Sequence, residues 1–193
     1  MSQSLAGPDG CRLLIERLDQ ALRSTVGPEA RTRAVRDVLT ELIHNGSIEL
    51  PSELTRPSPD GYARRLIHTD DRLGYAALAM VWGPGQGTPL HDHAGLWCVE
   101  GVLTGQIEVI QYDLVERQGP HCRFVAQGRE LAGVGSAGRL IPPFDYHTIA
   151  NALPDQCSVT IHVYGGEMSR CSIFQPLGDG WYEEGERILK LTA

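Results

Sequence analysis

At 193 residues the chain has room for one folded domain with a helical appendage and a substantial core. Its 41% hydrophobic and 21% charged content is that of an ordinary globular protein. The formal charge of −7 argues against a general nucleic-acid or anionic-membrane binder, which needs a basic surface. No apolar run approaches the ~20 residues that span a bilayer, and MSQSLAGPDG lacks the basic start and apolar stretch of a signal peptide. The five cysteines (Cys11, Cys98, Cys122, Cys157, Cys171) are odd in number and form no CxxC pair. A reduced, cytoplasmic setting is therefore expected rather than a disulfide framework.

Residues 10–25 place Leu13, Leu14, Leu18 and Leu22 at helical spacing, with Glu16, Arg17 and Arg23 on other faces. Gly27-Pro28 interrupts the pattern, and Pro28 suits the first turn of a second helix. Residues 29–44 predict that helix through Ala34, Val35, Val38, Leu39, Leu42 and Ile43, with Asn45-Gly46 as its stop. A polar linker rich in Pro and Ser runs from Ser47 to Gly61. Beyond it the texture changes to short apolar runs separated by Gly and Pro. Strands are predicted at Arg64–His68, Tyr75–Trp82, Trp97–Leu103, Gln106–Leu114, Cys122–Ala126, Gly138–Ile141, His147–Asn151 and Cys157–Tyr164. Short strands at this density predict a mainly β fold, a sandwich or barrel of the jelly-roll type.

His91-Asp92-His93 carries the clearest chemistry. Two histidines one residue apart share one face of a strand, because strand side chains alternate. The turn-rich Trp82-Gly83-Pro84-Gly85-Gln86-Gly87 is expected to deliver that strand. A third histidine, His147 on a later strand, completes a facial set of neutral imidazoles suited to a divalent transition metal. By alternation Asp92 points away and is read as structural.

Gly85-x5-His91-x-His93-x4-Cys98-x6-Gly105 resembles the first metal motif of the cupin barrels. Pro142, His147 and Asn151 match the second, although Phe144 stands where that motif usually has Gly. The resemblance implies a cupin (jelly-roll) β-barrel with the N-terminal helices packed outside. It would form one domain over 1–193, with a helical segment at 8–46 and a metal-binding core at 62–175. Cys98 occupies the slot of the usual metal-binding Glu, which leaves a first shell of three histidines and up to three open positions. Glu100 lies close enough to compete as a fourth ligand, although the frame puts Cys98 in the ligand slot.

From about Tyr62 to Ile173 the chain resembles the thiol dioxygenases of the cysteine dioxygenase family. The resemblance implies Fe(II) held by His91, His93 and His147, with a small thiol and O2 as partners. Cys98 matches the family cysteine that, in the animal enzymes, is crosslinked to an active-site tyrosine, and Tyr164 stands where that tyrosine should be. In Val159–Tyr164 one face is apolar and the other carries Thr160, His162 and Tyr164, a relay that hydrogen bonding inside a barrel would satisfy. The family's relay begins with Ser; Thr160 keeps the hydroxyl. Tyr62-Ala63-Arg64 resembles the segment whose Arg pairs with the substrate carboxylate, a task that suits a guanidinium fork. Arg65, one position on, and Arg170 are the alternatives.

Substrate choice stays mixed. Arg64 and Cys98 match the cysteine enzymes, whereas Gly165-Gly166, Trp97 and the Gly83–Gly87 turn are similar to the 3-mercaptopropionate dioxygenases. L-cysteine converted to its sulfinate is the leading expectation, with 3-mercaptopropionate or another mercapto-acid as the alternative. Two other classes remain open: a cupin enzyme using Zn, Mn or Ni, and a non-enzymatic cupin that binds a small molecule. Oligomeric state is not readable from these residues.

Overall fold

Leucine spacing builds the first helix, α1 (Asp9–Arg23), which buries Leu14, Leu18 and Leu22. The computed structural model describes residues 9–193; the expectations for residues 1–8, including the missing leader, lie outside the described residues. Pro28 opens α2 (Pro28–His44), which buries Val35, Leu39 and Leu42 against α1. The linker is not wholly irregular. Its Ser52–Thr55 segment forms a single helical turn, α3, that buries Leu54.

Eleven strands follow. They are β1 (Ala63–Asp70), β2 (Tyr75–Trp82), β3 (Leu90–His91), β4 (Cys98–Thr104), β5 (Gln106–Gln118) and β6 (His121–Gly133). After these come β7 (Ala137–Leu140), β8 (His147–Asn151), β9 (Ser158–Tyr164), β10 (Arg170–Gly178) and β11 (Trp181–Ile188). One sheet has the order β1-β2-β9-β4-β7, and β10-β11-β6-β5-β8-β3 closes on itself through β3 and β10. The fold is mainly β and jelly-roll-like, with the helices outside, as expected.

Both faces of the first sheet are buried, for different reasons. Ala77, Ala79, Val99, Ile161 and Val163 meet the leucines of α1 and α2. The alternate residues Leu78, Met80, Trp82, Cys98, Val102 and Tyr164 face the interior. Gly101 permits the helical layer to approach: a Cβ there would lie 3.2 Å from Ile43 and 3.3 Å from Leu39. Every residue of β2 and β9 is buried, so the Thr160–His162–Tyr164 face points into the protein rather than to water.

Three strand expectations need correction. β3 has only two residues, so His93 lies just beyond the strand instead of sharing it with His91. β5 and β6 extend past the predicted ends because their distal halves are polar and exposed, which hides the apolar alternation. The β10–β11 hairpin lies outside the predicted strands, since Pro176 within β10 weakens the strand signal and β11 carries Glu183, Glu184, Glu186 and Arg187. Among the described residues no helix is long and apolar enough to cross a membrane.

Candidate metal centre

Strand pairing assembles the histidines. β3 pairs with β8 at His91↔His147, and β10 pairs with β3 at Ile173↔His91, which anchors the short strand from its other side. Asp92 continues that anchoring, because its Oδ1 accepts from the Ser172 and Ala94 amides; its role is structural, as expected, but through these bonds rather than strand alternation, since it lies past the end of β3. The imidazole centroids lie 4.5 Å apart for His91–His147, 5.1 Å for His93–His147 and 5.4 Å for His91–His93. One ring nitrogen from each lies within 4.8 Å of the others.

The outer ring nitrogens decide where the inner lone pairs point. His91 Nδ1 lies 3.1 Å from the Pro89 carbonyl, and His147 Nδ1 lies 3.1 Å from the Asp145 carbonyl. His93 Nδ1 lies 3.2 Å from Asp145 Oδ2, which also accepts the His93 amide at 3.0 Å. These partners only accept, so each Nδ1 carries a proton, and each ring in its neutral form offers the Nε2 lone pair. His93 Nε2 and His147 Nε2 are buried with no hydrogen-bond partner. Buried polar atoms are rarely left so, and a divalent cation shared by the three rings satisfies them. The donor set therefore fits a transition metal.

Charge at the rings is uneven. Burial, with His147 and His93 nearby, pushes His91 well below the usual imidazole range. Burial also disfavours charge on His93, but the Asp145 and Glu100 carboxylates outweigh it and hold His93 up at about 9. Asp145, which fixes His93, is absent from the sequence-based site; its place two residues before His147 was the available signal.

β4 and β9 lie side by side with Cys98 opposite Tyr164, Glu100 opposite His162 and Val102 opposite Thr160. Cys98 and Glu100, two residues apart, share the inward face. Burial, then Glu100 and Asp145, push the Cys98 thiol well up; burial, then Cys98 and Glu100, do the same to the Tyr164 phenol. Both are neutral in the metal-free protein. Glu100 differs. Burial opposes its charge, yet the His162 and His147 imidazoles outweigh this and hold its carboxyl well below the usual range.

The relay can be followed proton by proton. Trp82 Nε1–H, which can only donate, reaches Thr160 Oγ1 at 2.9 Å. Thr160 Oγ1 lies 2.8 Å from His162 Nε2 and is free to donate to it. The proton of His162 is then on Nδ1, which faces Tyr164 Oη at 3.2 Å and Glu100 Oε1 at 3.1 Å.

A cavity beside His91 is bordered by Tyr62, Arg64, Tyr164, Met168, Cys171 and Arg187. Tyr62 stacks on Trp82 at 4.8 Å, and Arg64 is buried with Nη2 donating to the Met168 carbonyl at 3.0 Å. Arg65 does not reach this cavity. Its guanidinium donates to the carbonyls of Arg56, Thr192 and Ala193 on the other face of β1. Arg170 is exposed beside Glu186 at 3.6 Å. Arg187, with its guanidinium 5.9 Å from the Tyr62 ring centre, is a further addition, hidden because its strand was hidden. A wider cleft of about 670 Å3 along β5, β6 and β7 also touches Glu100 and Thr160 but none of the three histidines.

Gly165 has a steric role here. A Cβ would lie 2.4 Å from Trp97 Nε1, while the Gly165 amide donates to the Trp97 carbonyl at 2.8 Å. Trp97 and the glycine after Tyr164 are thus one packing unit.

Among solved structures, a Thermus thermophilus protein is 19% identical, covering 61% of this chain and 94% of its own, with a TM-score of 0.47. A Klebsiella pneumoniae protein with a double-stranded beta-helix domain is 16% identical, covering 71% and 86%, also with a TM-score of 0.47. Cysteine dioxygenase type 1 of Danio rerio is 25% identical over 119 residues, 58% of this chain and 55% of that protein. The chain thus spans about half the length of this curated relative. A family model described as cysteine dioxygenase type I matches residues 54–176, well over half of the chain. With its jelly-roll-like fold and converging histidines, this chain belongs to the cysteine dioxygenase type I family of cupins.

Proposed function

We propose that the protein is a non-haem Fe(II) thiol dioxygenase that adds both atoms of O2 to the sulfur of a small carboxylate-bearing thiol. The observation that carries this reading is the convergence of three imidazoles, two buried and His91 half-buried at the cavity edge, each with its outer nitrogen occupied, beside a cavity bordered by Arg64 and Tyr164. Family membership supports it. The net change is R–SH + O2 → R–SO2H. Sulfur loses the electrons that dioxygen gains, so no external reductant is needed, and the product stands at the sulfinic stage of thiol oxidation.

His91, His93 and His147 would hold Fe(II) through Nε2. When bound, Fe(II) supplies the redox chemistry that lets dioxygen react with a thiolate. Arg64 would donate to the substrate carboxylate with the guanidinium N–H groups that Met168 leaves free, and Tyr62 borders the same end of the cavity. This fixes the sulfur beside the histidines, a proximity effect. Tyr164 keeps its phenolic proton and can donate it into the cavity, held in place by His162 and Thr160. Trp82, Met80 and Ile149 line the cavity and limit water. Cys98 and Tyr164 are paired across β4 and β9, and a thioether between them would break the S–H and a ring C–H bond and pass two hydrogens to dioxygen, so intact mass after turnover should fall by two hydrogens. The odd cysteine count supports a cytoplasmic setting.

The test is oxygen uptake by iron-loaded protein with cysteine, 3-mercaptopropionate, cysteamine and mercaptosuccinate, with the product identified by mass. A sulfinate from at least one carboxylate-bearing thiol is expected. No thiol-dependent uptake with any of the four would overturn the assignment.

A further inference from the structure

The motif frame puts Cys98, rather than Glu100, in the ligand slot. The structure turns both inward: Cys98 lies within 4.8 Å of His93 and Glu100, and the Glu100 carboxylate lies against both His93 and His147. Its Oε1 lies 3.5 Å from His147 Nε2 and 3.9 Å from His93 Nε2. Ligand atoms that share one ion at about 2.0–2.2 Å each lie about 3–4 Å apart, so both separations fit a common cation.

The chemistry of these atoms points the same way. His147 Nδ1 is tied to an acceptor, so its Nε2 lone pair faces an anionic oxygen that is itself an acceptor, and His93 Nε2 does the same once its ring is neutral. Acceptor facing acceptor is unfavourable unless a cation lies between them. Among the described residues, moreover, the groups within ion-pair distance of Glu100 are His93, His147 and His162, and none is Lys or Arg. A buried carboxylate without a permanent counter-charge is expensive. A divalent ion removes that cost and satisfies the two orphaned nitrogens together.

We propose that Glu100 is a fourth protein ligand of the metal held by His91, His93 and His147. Three histidines and a carboxylate leave two positions of a six-coordinate set instead of three. A thiol that binds through sulfur and amine together, beside dioxygen, needs three. A thiol that binds through sulfur alone, with its carboxylate on Arg64, needs two. The substrate class is then a mercapto acid without a chelating amine, of the 3-mercaptopropionate type, rather than L-cysteine. The substrate part rests on the thiol dioxygenase reading; the ligand part does not.

The experiment compares wild type with Glu100→Gln, which preserves size and can still accept from His162. Co(II) affinity by chelator competition and the Co(II) visible spectrum are measured without thiol. Glu100→Gln should lose at least about tenfold in affinity and change the spectrum through the lost ligand. Glu100→Asp, which keeps the charge but withdraws it by one methylene, should also bind more weakly and guards against a misfolded Gln variant. Wild-type affinity and spectrum in both variants would overturn the ligand assignment and leave Glu100 as a mere acceptor for His162. With iron, wild type should oxidise 3-mercaptopropionate at higher kcat/KM than cysteine, and the ratio should fall in Glu100→Gln. Preference of the wild type for cysteine would overturn the substrate class. Altered Co(II) binding without oxidation of any thiol would support the ligand assignment while rejecting the dioxygenase reading.

Discussion

His91 and His147 face each other across the β3–β8 pair with ring centroids 4.5 Å apart, although fifty-five residues separate them in the chain. Because β3 is only two residues long, the pairing of its His91 with β8 and β10 holds one side of the cluster in place.

His147→Ala should abolish metal retention, since it removes a fully buried donor from the centre of the cluster. Metal content after desalting, with circular dichroism to check the fold, tests this. A folded variant that retains a full equivalent of iron would remove His147 from the ligand set.

Asp145→Asn should weaken metal binding without removing a ligand. The neutral amide loses the charge that orients His93, and such supporting contacts are worth about 10–100-fold in affinity. Chelator competition measures the change, and an unchanged constant would show that the His93 amide and ring are held by other contacts.

Metal affinity should depend on pH with a definite sign. In the metal-free protein His93 keeps its proton up to about 9, and a metal must displace it. Affinity should therefore rise as pH rises, by about tenfold per unit for one released proton, and level off above pH 9. Flat affinity between pH 6 and 9, measured by competition, would contradict this.

Arg64→Ala should raise KM for carboxylate-bearing thiols by about tenfold or more and leave cysteamine, which has no carboxylate, nearly unaffected. Arg65→Ala should leave KM unchanged, because its guanidinium binds main-chain carbonyls on the opposite face. The same oxygen-uptake assay separates the two arginines; equal effects would mean that the carboxylate contact is elsewhere.

Gly165→Ala should destabilise the protein by about 1–3 kcal/mol through overpacking against Trp97. Combining it with Trp97→Ala should recover part of that loss, because the steric conflict lies between these two residues. Urea unfolding of the four proteins measures the coupling. Additive losses would show that the glycine is not needed for Trp97.

Much of the site was legible in local order. The Thr160–His162–Tyr164 alternation needs only period two along a strand, and the His91-x-His93 spacing and the Cys98 frame were legible as motif spacings although His93 lies past the end of β3. The leucine stripe of α1 needs only helical period. Where those periods were masked, legibility failed: polar β11 hid Arg187, and the two-residue β3 gave no period at all.

By itself, then, the sequence determined the helices, the β-rich core, the histidine set and the family resemblance, because each depends on the spacing of neighbours along the chain. Only the tertiary structure decided that Glu100 shares the cluster, that Asp145 orients His93, and that Arg64 rather than Arg65 or Arg170 borders the cavity. Those relations depend on which strands pair and in what register, and on which face of each strand is covered. A one-residue change of register would turn every such side chain to the other face.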